Sequence, residues 1–442
     1  MEDIMITEIL ADIPANVVEF FKKRASGQDY KTFLEQYDPR KHAVHDKRHR
    51  PSKKVKTEQG MIEKDVARLS LPFQRIIVDR AAAFLIGEGI ELNATIDSDD
   101  QQIMYDALQD VWHDNKLDYS TRQMVRIWMS ETEVAEYWYI QEKDGELRLR
   151  MQIWAHSMGD DLLPYFNEYG DMEAFARCYK IGRIEYMDVW SADEIIKYEK
   201  ETAWEEVSRE ENVIGKIPVI YYHRERPEWS DVQDMIERFE TMISNFADTN
   251  DYFASPIVKI KGRVIGFADK GESGKMITMD ENADAEYLTW SQAPDAIRLE
   301  KETLQELIFS MTQTPDISFE KMKGVGNLSG IALRLMFLDA KLKSLKHHEG
   351  FGEGIQRRIN LIMAALRVIN IASADIKVVP EFVFYMPQND KEIIDMLVTS
   401  TGGRAIMSRR TAIQNNPFVM DVEKENEDIE ADDAGSFGNI MP

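Results

Sequence analysis

The stretch from Trp229 to Phe253 carries the clearest hydrophobic periodicity in the chain. Its apolar residues alternate at spacings of three and four, which places them along one side of an α-helix. At 1.5 Å per residue, a helix of about 22 residues is about 33 Å long. The rest of its surface is largely acidic. The simplest interpretation is an ordinary packed helix, whose seam consists of Val232, Met235, Phe239, Met242, Phe246 and Phe253, widened by Ile236 and Ile243.

The charge balance limits what the protein can bind. The 442 residues include 79 acidic residues against 54 Lys and Arg, a formal net charge of −25. Affinity for phosphates comes from Lys and Arg that displace counterions, so the chain is not expected to coat nucleic acid through bulk charge. Weak or guided contact with DNA remains compatible with this balance. An acidic surface that faces DNA repels it, and such repulsion is useful where DNA must pass without sticking.

The sequence predicts a folded and soluble protein. Its hydrophobic fraction of 43% is ordinary and its aromatic fraction of 10% is too high for a disordered chain. The single cysteine, Cys178, allows no internal disulfide and fits a reducing compartment. The start lacks the features of a signal peptide, and no stretch reaches about 18 uncharged apolar residues.

A small β module follows the periodic helix and precedes a second one. Strands are predicted over Ile257 to Ile265, Met276 to Met279 and Ala285 to Trp290, with glycine-bearing turns between them. The second helix is predicted from about Ala293 to Met311. Two long helices that bracket a small β module form a stalk with a tip.

The remaining elements predict an α+β fold. The pattern indicates a β-rich region from Val134 to Tyr222, with a hairpin around Lys143-Asp144-Gly145. A long helix is predicted from Gly330, with a kink or break expected where three glycines occur. Further helices are predicted at Ile6 to Phe21, Tyr30 to Tyr37, Pro72 to Gly87, Gln101 to Asn115, Asp390 to Leu397, Ser408 to Asn415 and from Asp421, and the three glycines are Gly350, Gly352 and Gly354.

A basic segment between Arg40 and Lys56 stands out in this acidic chain. It holds eight Lys or Arg together with His42, His45 and His49. One interpretation is contact with nucleic acid or an acidic partner; the favoured one is a solvated arm that docks on a neighbouring acidic surface. The histidines lack cysteines or a second ligand pair at the spacing of a zinc site.

The short motifs of catalysis are absent from the sequence. It contains no G-x-S-x-G, no H-E-x-x-H, no paired C-x-x-C and no G-x-G-x-x-G that opens a helix. The string Gly271-Glu272-Ser273-Gly274-Lys275 is similar to a phosphate-binding loop but has Asp269 and Met276 where glycine and Ser or Thr are required. We therefore expect a hairpin turn there, and a protein without enzymatic activity, metal or cofactor.

Several local strings, in this order, resemble the portal proteins of tailed bacteriophages, in the branch of long non-contractile-tailed phages. The resemblance spans nearly the whole chain. Each string alone is weak, and their order around a β module between two long helices carries the likeness. The strings are Gln74 to Asp79 leading to Phe84 to Gly87, Gly215 to Ile220, Ser329 to Arg334, and Ser408 to Thr411 continuing through Pro417 to Asp421 and Glu425.

The resemblance implies a portal fold with named parts. In that fold a wing, a two-helix stem, a small β clip, a long kinked helix and a helical crown assemble as a ring. The implied boundaries are 1–228 for the wing with its N-terminal arm, 229–256 for the first stem helix, 257–292 for the clip, 293–312 for the second stem helix, 313–330 for the tunnel loop, 331–388 for the long helix and a wing strand, and 389–442 for the crown and acidic tail.

The resemblance also implies a function. About a dozen subunits would ring one capsid vertex and form the channel for packaging and ejection of double-stranded DNA. The partners implied are the large terminase subunit, a head-tail connector or adaptor, and the major capsid and scaffolding proteins. No membrane partner is expected. The location implied is the virion, and the host cytoplasm during assembly.

Three groups of residues are assigned on this basis. The stem residues Val232, Met235, Phe239, Met242 and Phe246 are expected to contact neighbouring subunits. The clip turn from Gly271 to Lys275 is expected to dock partners, and the tunnel loop is expected to touch DNA weakly through phosphate contacts. The tunnel-loop residues are Lys321, Lys323, Gly324, Gly326 and Asn327.

Two alternatives stay open at this point. One is another phage structural scaffold protein, and the other is a phage enzyme that acts on DNA or on the cell wall. An image of a ring with an axial hole would favour the portal, whereas a monomer would favour the enzyme.

Overall fold

A computed structural model describes most of the chain. The described ranges are 6–25, 27–57, 60–253, 258–262, 264–267, 277–279, 284–287, 293–317, 330–384, 390–402, 405–419 and 421–438. Helices and strands are both abundant, which confirms the predicted mixed class.

The first part of the chain is mainly helical. In chain order its elements are α1 (Ile6–Leu10), α2 (Pro14–Lys22), α3 (Tyr30–Tyr37), β1 (Lys53–Thr57), β2 (Gly60–Lys64), α4 (Phe73–Ile86), β3 (Ile90–Ala94), α5 (Asp99–Asp114) and α6 (Leu117–Glu131). A run of strands follows: β4 (Glu133–Lys143), β5 (Glu146–Trp154), β6 (Asp161–Phe166), β7 (Met172–Ile181), β8 (Ile184–Ser191), β9 (Glu194–Lys200), β10 (Trp204–Glu211) and β11 (Val219–His223).

The second part contains the long helices. Its elements are α7 (Gln233–Phe253), β12 (Val258–Lys261), β13 (Val264–Phe267), β14 (Ile277–Met279), β15 (Asp284–Tyr287), α8 (Ala293–Met311), α9 (Gly330–Met336), α10 (Leu338–Val368), β16 (Val378–Phe382), α11 (Asp390–Thr401), α12 (Arg409–Gln414) and α13 (Val422–Gly438). Among the described residues, no helix is both long enough and apolar enough to span a bilayer.

The strands form several antiparallel sheets. The largest has the order β10-β9-β8-β7-β6, and a three-stranded sheet has the order β11-β4-β5. The predicted hairpin is confirmed, since Lys143 pairs with Glu146 and the turn residues Asp144 and Gly145 have φ of 56° and 81°. Positive φ at both central residues is what a two-residue turn between twisted strands requires.

Helix α10 lies at the centre of the main core. Its inward side carries Phe351, Ile355, Ile359, Ile362 and Leu366, all at most 1% exposed. These side chains pack with residues of α4, α5, α6, β4 and β16. The apolar side of α10, with residues at spacings of three and four, thus packs against both the strands and the other helices.

One ion pair is fully buried in this core. The Arg358 guanidinium donates from Nε to both oxygens of Glu136, at 3.0 and 2.9 Å, and from Nη1 to Thr121 at 2.8 Å. The Tyr222 hydroxyl donates to Glu136 at 3.1 Å. Because a buried charge must be compensated, this network fixes α10 against β4 and β11.

The expected break at Gly350, Gly352 and Gly354 is wrong. Helix α10 runs through all three, and the interruption lies earlier, at Phe337. A Cβ on Gly354 would lie 2.1 Å from Cε1 of Tyr222. The glycine therefore makes room for an aromatic ring that packs against the helix.

Two other predicted elements are divided in the structure. The helix expected over Ile6 to Phe21 is two helices, because Ile13 adopts an extended conformation before Pro14, as residues preceding proline usually do. The strand expected over Ile257 to Ile265 is two strands, β12 and β13, which pair with β15 and β14 respectively.

Candidate functional site

Helices α7 and α8 lie side by side and point in opposite directions. The chain leaves α7 and enters α8 through the paired strands β12 and β15. Nearer the other end, the Phe73 ring contacts Phe239 and Phe309 edge to face, at 5.2 and 5.8 Å between centroids. On the outer surface Arg238 pairs with Glu300 at 2.6 Å. Two adjacent long helices with short paired strands between them along the chain are thus present, as predicted.

The first half of the α7 seam, from Val232 to Met242, is buried inside the subunit and is called the lower half below. Val232 and Phe239 are 1% and 2% exposed, and Met242 is nearly as well covered. Val232 and Phe239 pack within this chain's main core, and Met235 lies half-buried against it. Val232, Phe239 and Met242 therefore present almost no surface to another copy. The expected contact between subunits can fall only on more exposed residues of the seam, such as the half-buried Phe246.

A polar row lies on a different side of α7. Glu240, Ser244 and Asp248 are spaced by four residues and accept hydrogen bonds from the N–H groups of Leu71, Leu69 and Ala67, at 2.8, 2.9 and 2.7 Å. Four helical residues rise about 6.0 Å and two extended residues span about 6.6 Å, so alternate N–H groups match alternate helical turns. The row holds this stretch of chain along the helix.

The basic segment docks on the same row. His42 Nδ1 lies 2.6 Å from Glu240, and Arg50 donates to Asp248 and Asn245, both at 2.8 Å. Glu240 is 1% exposed. The segment thus docks on an acidic surface, as the favoured interpretation predicted, and that surface is a helix of its own chain; its anchors His42 and Arg50 are largely buried, not solvated.

The charge of Asp248 is favoured by this docking. Partial burial acts to raise its pKa, but the Ala67 N–H, Lys53 and Arg50 outweigh burial and lower it. The carboxylate is thus ionised at neutral pH and holds both cations of the arm. Hydrogen bonds to an ionised acceptor are the stronger kind.

A second charged cluster lies just before α7. Glu228 contacts Lys343 at 2.6 Å, His347 at 3.2 Å and Arg224 at 2.5 Å. Lys343 also donates to the Thr312 carbonyl at 2.5 Å, immediately after α8. Although burial acts to raise the pKa of Glu228, its three basic neighbours lower it well below its usual value. One carboxylate therefore joins the lower end of the helix pair to α10.

Comparison with known proteins now decides the family. A family model described as "Phage portal protein, SPP1 Gp6-like" matches residues 24–436, nearly the whole chain. The chain belongs to the phage portal protein family. The resemblance inferred from the sequence strings is thereby confirmed. This family is a structural class of proteins and not a class of enzymes.

Individual relatives are distant. The chain is 26% identical over 234 residues to the portal protein of Bacillus phage SPP1, a match that covers 49% of this chain and 44% of that protein. The match thus spans less than half of the curated relative. A solved structure described as the virion of a native gene transfer agent particle has a TM-score of 0.46 and 9% identity, covering 87% of this chain and 92% of that one.

A second solved structure is described as the neck of the native gene transfer agent particle, computed with C12 symmetry. It has a TM-score of 0.43 and 10% identity, covering 78% of this chain and 88% of that one.

Several residues assigned from the sequence lie outside the described ranges. These are the clip turn from Gly271 to Lys275 and the whole tunnel-loop set, Lys321, Lys323, Gly324, Gly326 and Asn327. Their roles stay predictions. No group of three or more potential metal ligands converges in the part of the chain that the structure describes.

The polar row was missed by sequence reasoning. Glu240 and Asp248 fall among the acidic residues outside the predicted seam, although their spacing of eight residues with Ser244 between them places all three on one side. A useful signal was the basic segment itself, whose Arg50 and His42 require acidic partners when they are buried.

Proposed function

We propose that this portal family member assembles into a ring of about a dozen subunits at one vertex of a phage capsid. The ring encloses the channel through which double-stranded DNA is packaged and later ejected. The protein then resides in the virion, after assembly in the host cytoplasm. The match of the portal family model to residues 24–436 carries this proposal.

The helix pair supports it physically. Helices α7 and α8 form a two-helix stalk that ends in two small strand pairs, as a stem and clip require. Exposed acids remain on the stalk, including Asp234 on α7 and Glu302 on α8. In a ring such acids would give the channel or its surroundings a charge that does not hold DNA.

The remaining roles follow from position along the chain. The β module, including Gly271 to Lys275, is the docking site for the large terminase subunit and later for the head-tail connector. The wing meets the major capsid and scaffolding proteins. The sequence carries no ATP-binding motif, so the energy for DNA movement comes from the separate terminase.

The segment 313–330 is the proposed tunnel loop. Lys321 and Lys323 from every subunit would form a basic collar that makes weak phosphate contacts, which fade as salt rises. Replacing both lysines by Ala should leave rings intact and alter DNA packaging or retention. Unchanged packaging and retention at several salt concentrations would refute this assignment.

Negative-stain electron microscopy of the purified protein tests the proposed function directly. We expect rings with an axial hole. A uniform population of 51.2 kDa monomers at all concentrations would overturn the proposal.

A further inference from the structure

The charged cluster around Glu228 lies where three parts of the chain meet. Arg224 and Glu228 belong to the segment that leads into α7, Lys343 and His347 belong to α10, and Thr312 directly follows α8. Glu228 contacts all three basic side chains, and Lys343 reaches the Thr312 carbonyl. These five residues are called the Glu228 latch below.

The contact between Lys343 and the end of α8 is charge-assisted. The last carbonyls of a helix lack partners within the helix and carry the negative end of its dipole. Lys343 Nζ donates to the Thr312 carbonyl at 2.5 Å and lies 2.6 Å from the Glu228 carboxylate. One ammonium group therefore joins the end of α8 to the residue that leads into α7, and ties both to α10.

The latch carries more positive than negative charge. When His347 is neutral, Arg224 and Lys343 share the single carboxylate of Glu228. Protonation of His347 would add a third positive charge. The side chains of Glu228, Lys343 and His347 are only 4%, 9% and 9% exposed, so water screens the repulsion weakly. A charged His347 therefore works against the closed latch.

The groups that face His347 come from each element packed against it. Helix α6 presents the uncharged Trp128 ring, edge to face at 5.7 Å between centroids. The segment before α7 presents Glu228 and Arg224, and Lys343 lies one turn earlier on α10. Burial and the two cations lower the pKa of His347 more than Glu228 raises it. The closed latch thus favours the neutral imidazole.

We propose that the Glu228 latch is a proton-sensitive link between the helix pair and α10, which opens locally when His347 is protonated. The closed latch holds the start of α7 through Glu228 and the end of α8 through Thr312. Opening frees both of these points from α10 while the sheets stay folded. The latch lies within one subunit, so this inference goes beyond the proposed ring and does not depend on it.

The size of the response follows from a single proton. An opened latch exposes an imidazole with an ordinary pKa of about 6.5, whereas the closed latch takes up that proton only at lower pH. One proton changes an opening equilibrium by at most about tenfold per pH unit. The opening equilibrium should therefore be nearly constant above about pH 7.5 and increase by up to about tenfold between pH 7.5 and 5.5.

Hydrogen exchange of the whole chain tests the latch, with rates corrected for the intrinsic pH dependence of exchange. Residues 224–228 and 308–312 should exchange up to about tenfold faster at pH 5.5 than at pH 7.5. The Glu228 and Thr312 amides donate to backbone carbonyls at 2.9 and 3.2 Å, so both report opening. Strands β7 and β8, which contain no residue of the latch, should show no such increase.

Two neighbouring histidines provide a matched pair of variants. His347→Gln keeps a side-chain donor for Glu228 but takes up no proton, so it should abolish the increase in acid. His347→Asn gives the same test with a shorter side chain. His348→Gln is the control, because the His348 ring lies against Phe382, 4.5 Å away between centroids. It should retain the increase.

The remaining outcomes would overturn the proposal. One is a parent whose latch residues exchange equally fast at both pH values. Another is an equal increase in the His347 variants, and a third is loss of the increase in His348→Gln, which would assign the titration to that residue. A parallel increase in β7 and β8 would show that the whole subunit unfolds, and that no local latch exists.

Discussion

The two halves of α7 have the same hydrophobic spacing but different surroundings. In the lower half Val232 and Phe239 are covered by this chain's own core. In the upper half Phe246 is half-buried, and Tyr252 is 60% exposed. A seam of spacings three and four predicts that a helix face will be covered, but it does not reveal which chain covers it. The lower half is therefore part of the subunit, and we propose that the upper half contacts another copy in the proposed ring.

The largest expected effect is the difference in unfolding free energy between truncating Phe239 in the lower half of α7 and truncating Phe246 in the upper half. Phe239→Ala should lower the free energy of unfolding of the subunit by about 3–5 kcal/mol, because a fully buried ring leaves a cavity. Phe246→Ala should cost about 1–2 kcal/mol, since less apolar area is lost. Denaturant unfolding at low protein concentration measures both. Equal losses would show that the halves are packed alike.

The next effect concerns the charged cluster beneath the lower half. Lys343→Met should lower the free energy of unfolding by about 3 kcal/mol, because Glu228 loses a buried partner and the Thr312 carbonyl loses its donor. The exposed Lys341→Met on the same helix is the matched control. If the two variants are equally stable, the cluster does not tie α8 to α10.

A smaller and local effect is expected at the upper half. Asp248→Ala should cost about 1.5–3 kcal/mol, because the Ala67 N–H and Arg50 lose a charged acceptor. Ser244→Ala should cost about 1 kcal/mol, since it removes one neutral hydrogen bond. Hydrogen exchange should rise at residues 67–71 in both variants. Unchanged protection there would contradict the role of the polar row.

The smallest expected effect is a dependence of stability on pH, caused by His347 in the charged cluster around Glu228. Burial lowers the pKa of His347, although Glu228 favours its charged form. The unfolded chain therefore takes up the proton first, and stability should fall as the pH drops below about 6.5. Unfolding measured between pH 7 and 5 should show this loss, and His347→Gln should reduce it. A steeper loss in the variant would contradict the assignment.

The titration of His156 should contribute little to the loss of stability measured between pH 7 and 5. Burial opposes its protonation, but Asp161 and Glu133 raise the pKa of His156 to about 9. Its contribution to stability is complete below about pH 6.5 and is lost only as the pH rises through about 9.

Much of the fold was predictable because local rules decide it. The Asp144-Gly145 turn, the Ser408 N-cap of α12 and the two long helices follow from turn chemistry, capping and periodicity. Strand β10 carries no such local signal, because it is mostly exposed and rich in glutamate and so lacks an apolar alternation.

The tertiary roles of single residues were harder to predict. Gly354 looked like a helix breaker, and only the position of the Tyr222 ring shows why it is glycine. The sequence pattern alone places Glu240 among the solvated acids, and only the arm that lies on it shows its role. In both cases the deciding partner is more than 100 residues away in sequence, where local patterns carry no information.

Native mass measurement of Phe246→Ala beside the parent tests the central claim most directly, because it asks whether the upper half of α7 joins copies. We predict that the parent forms a ring of many 51.2 kDa subunits. The variant should keep the parent's circular dichroism and a similar thermal midpoint but dissociate at dilutions that the parent ring survives. A variant ring as stable to dilution and heat as the parent would contradict the account.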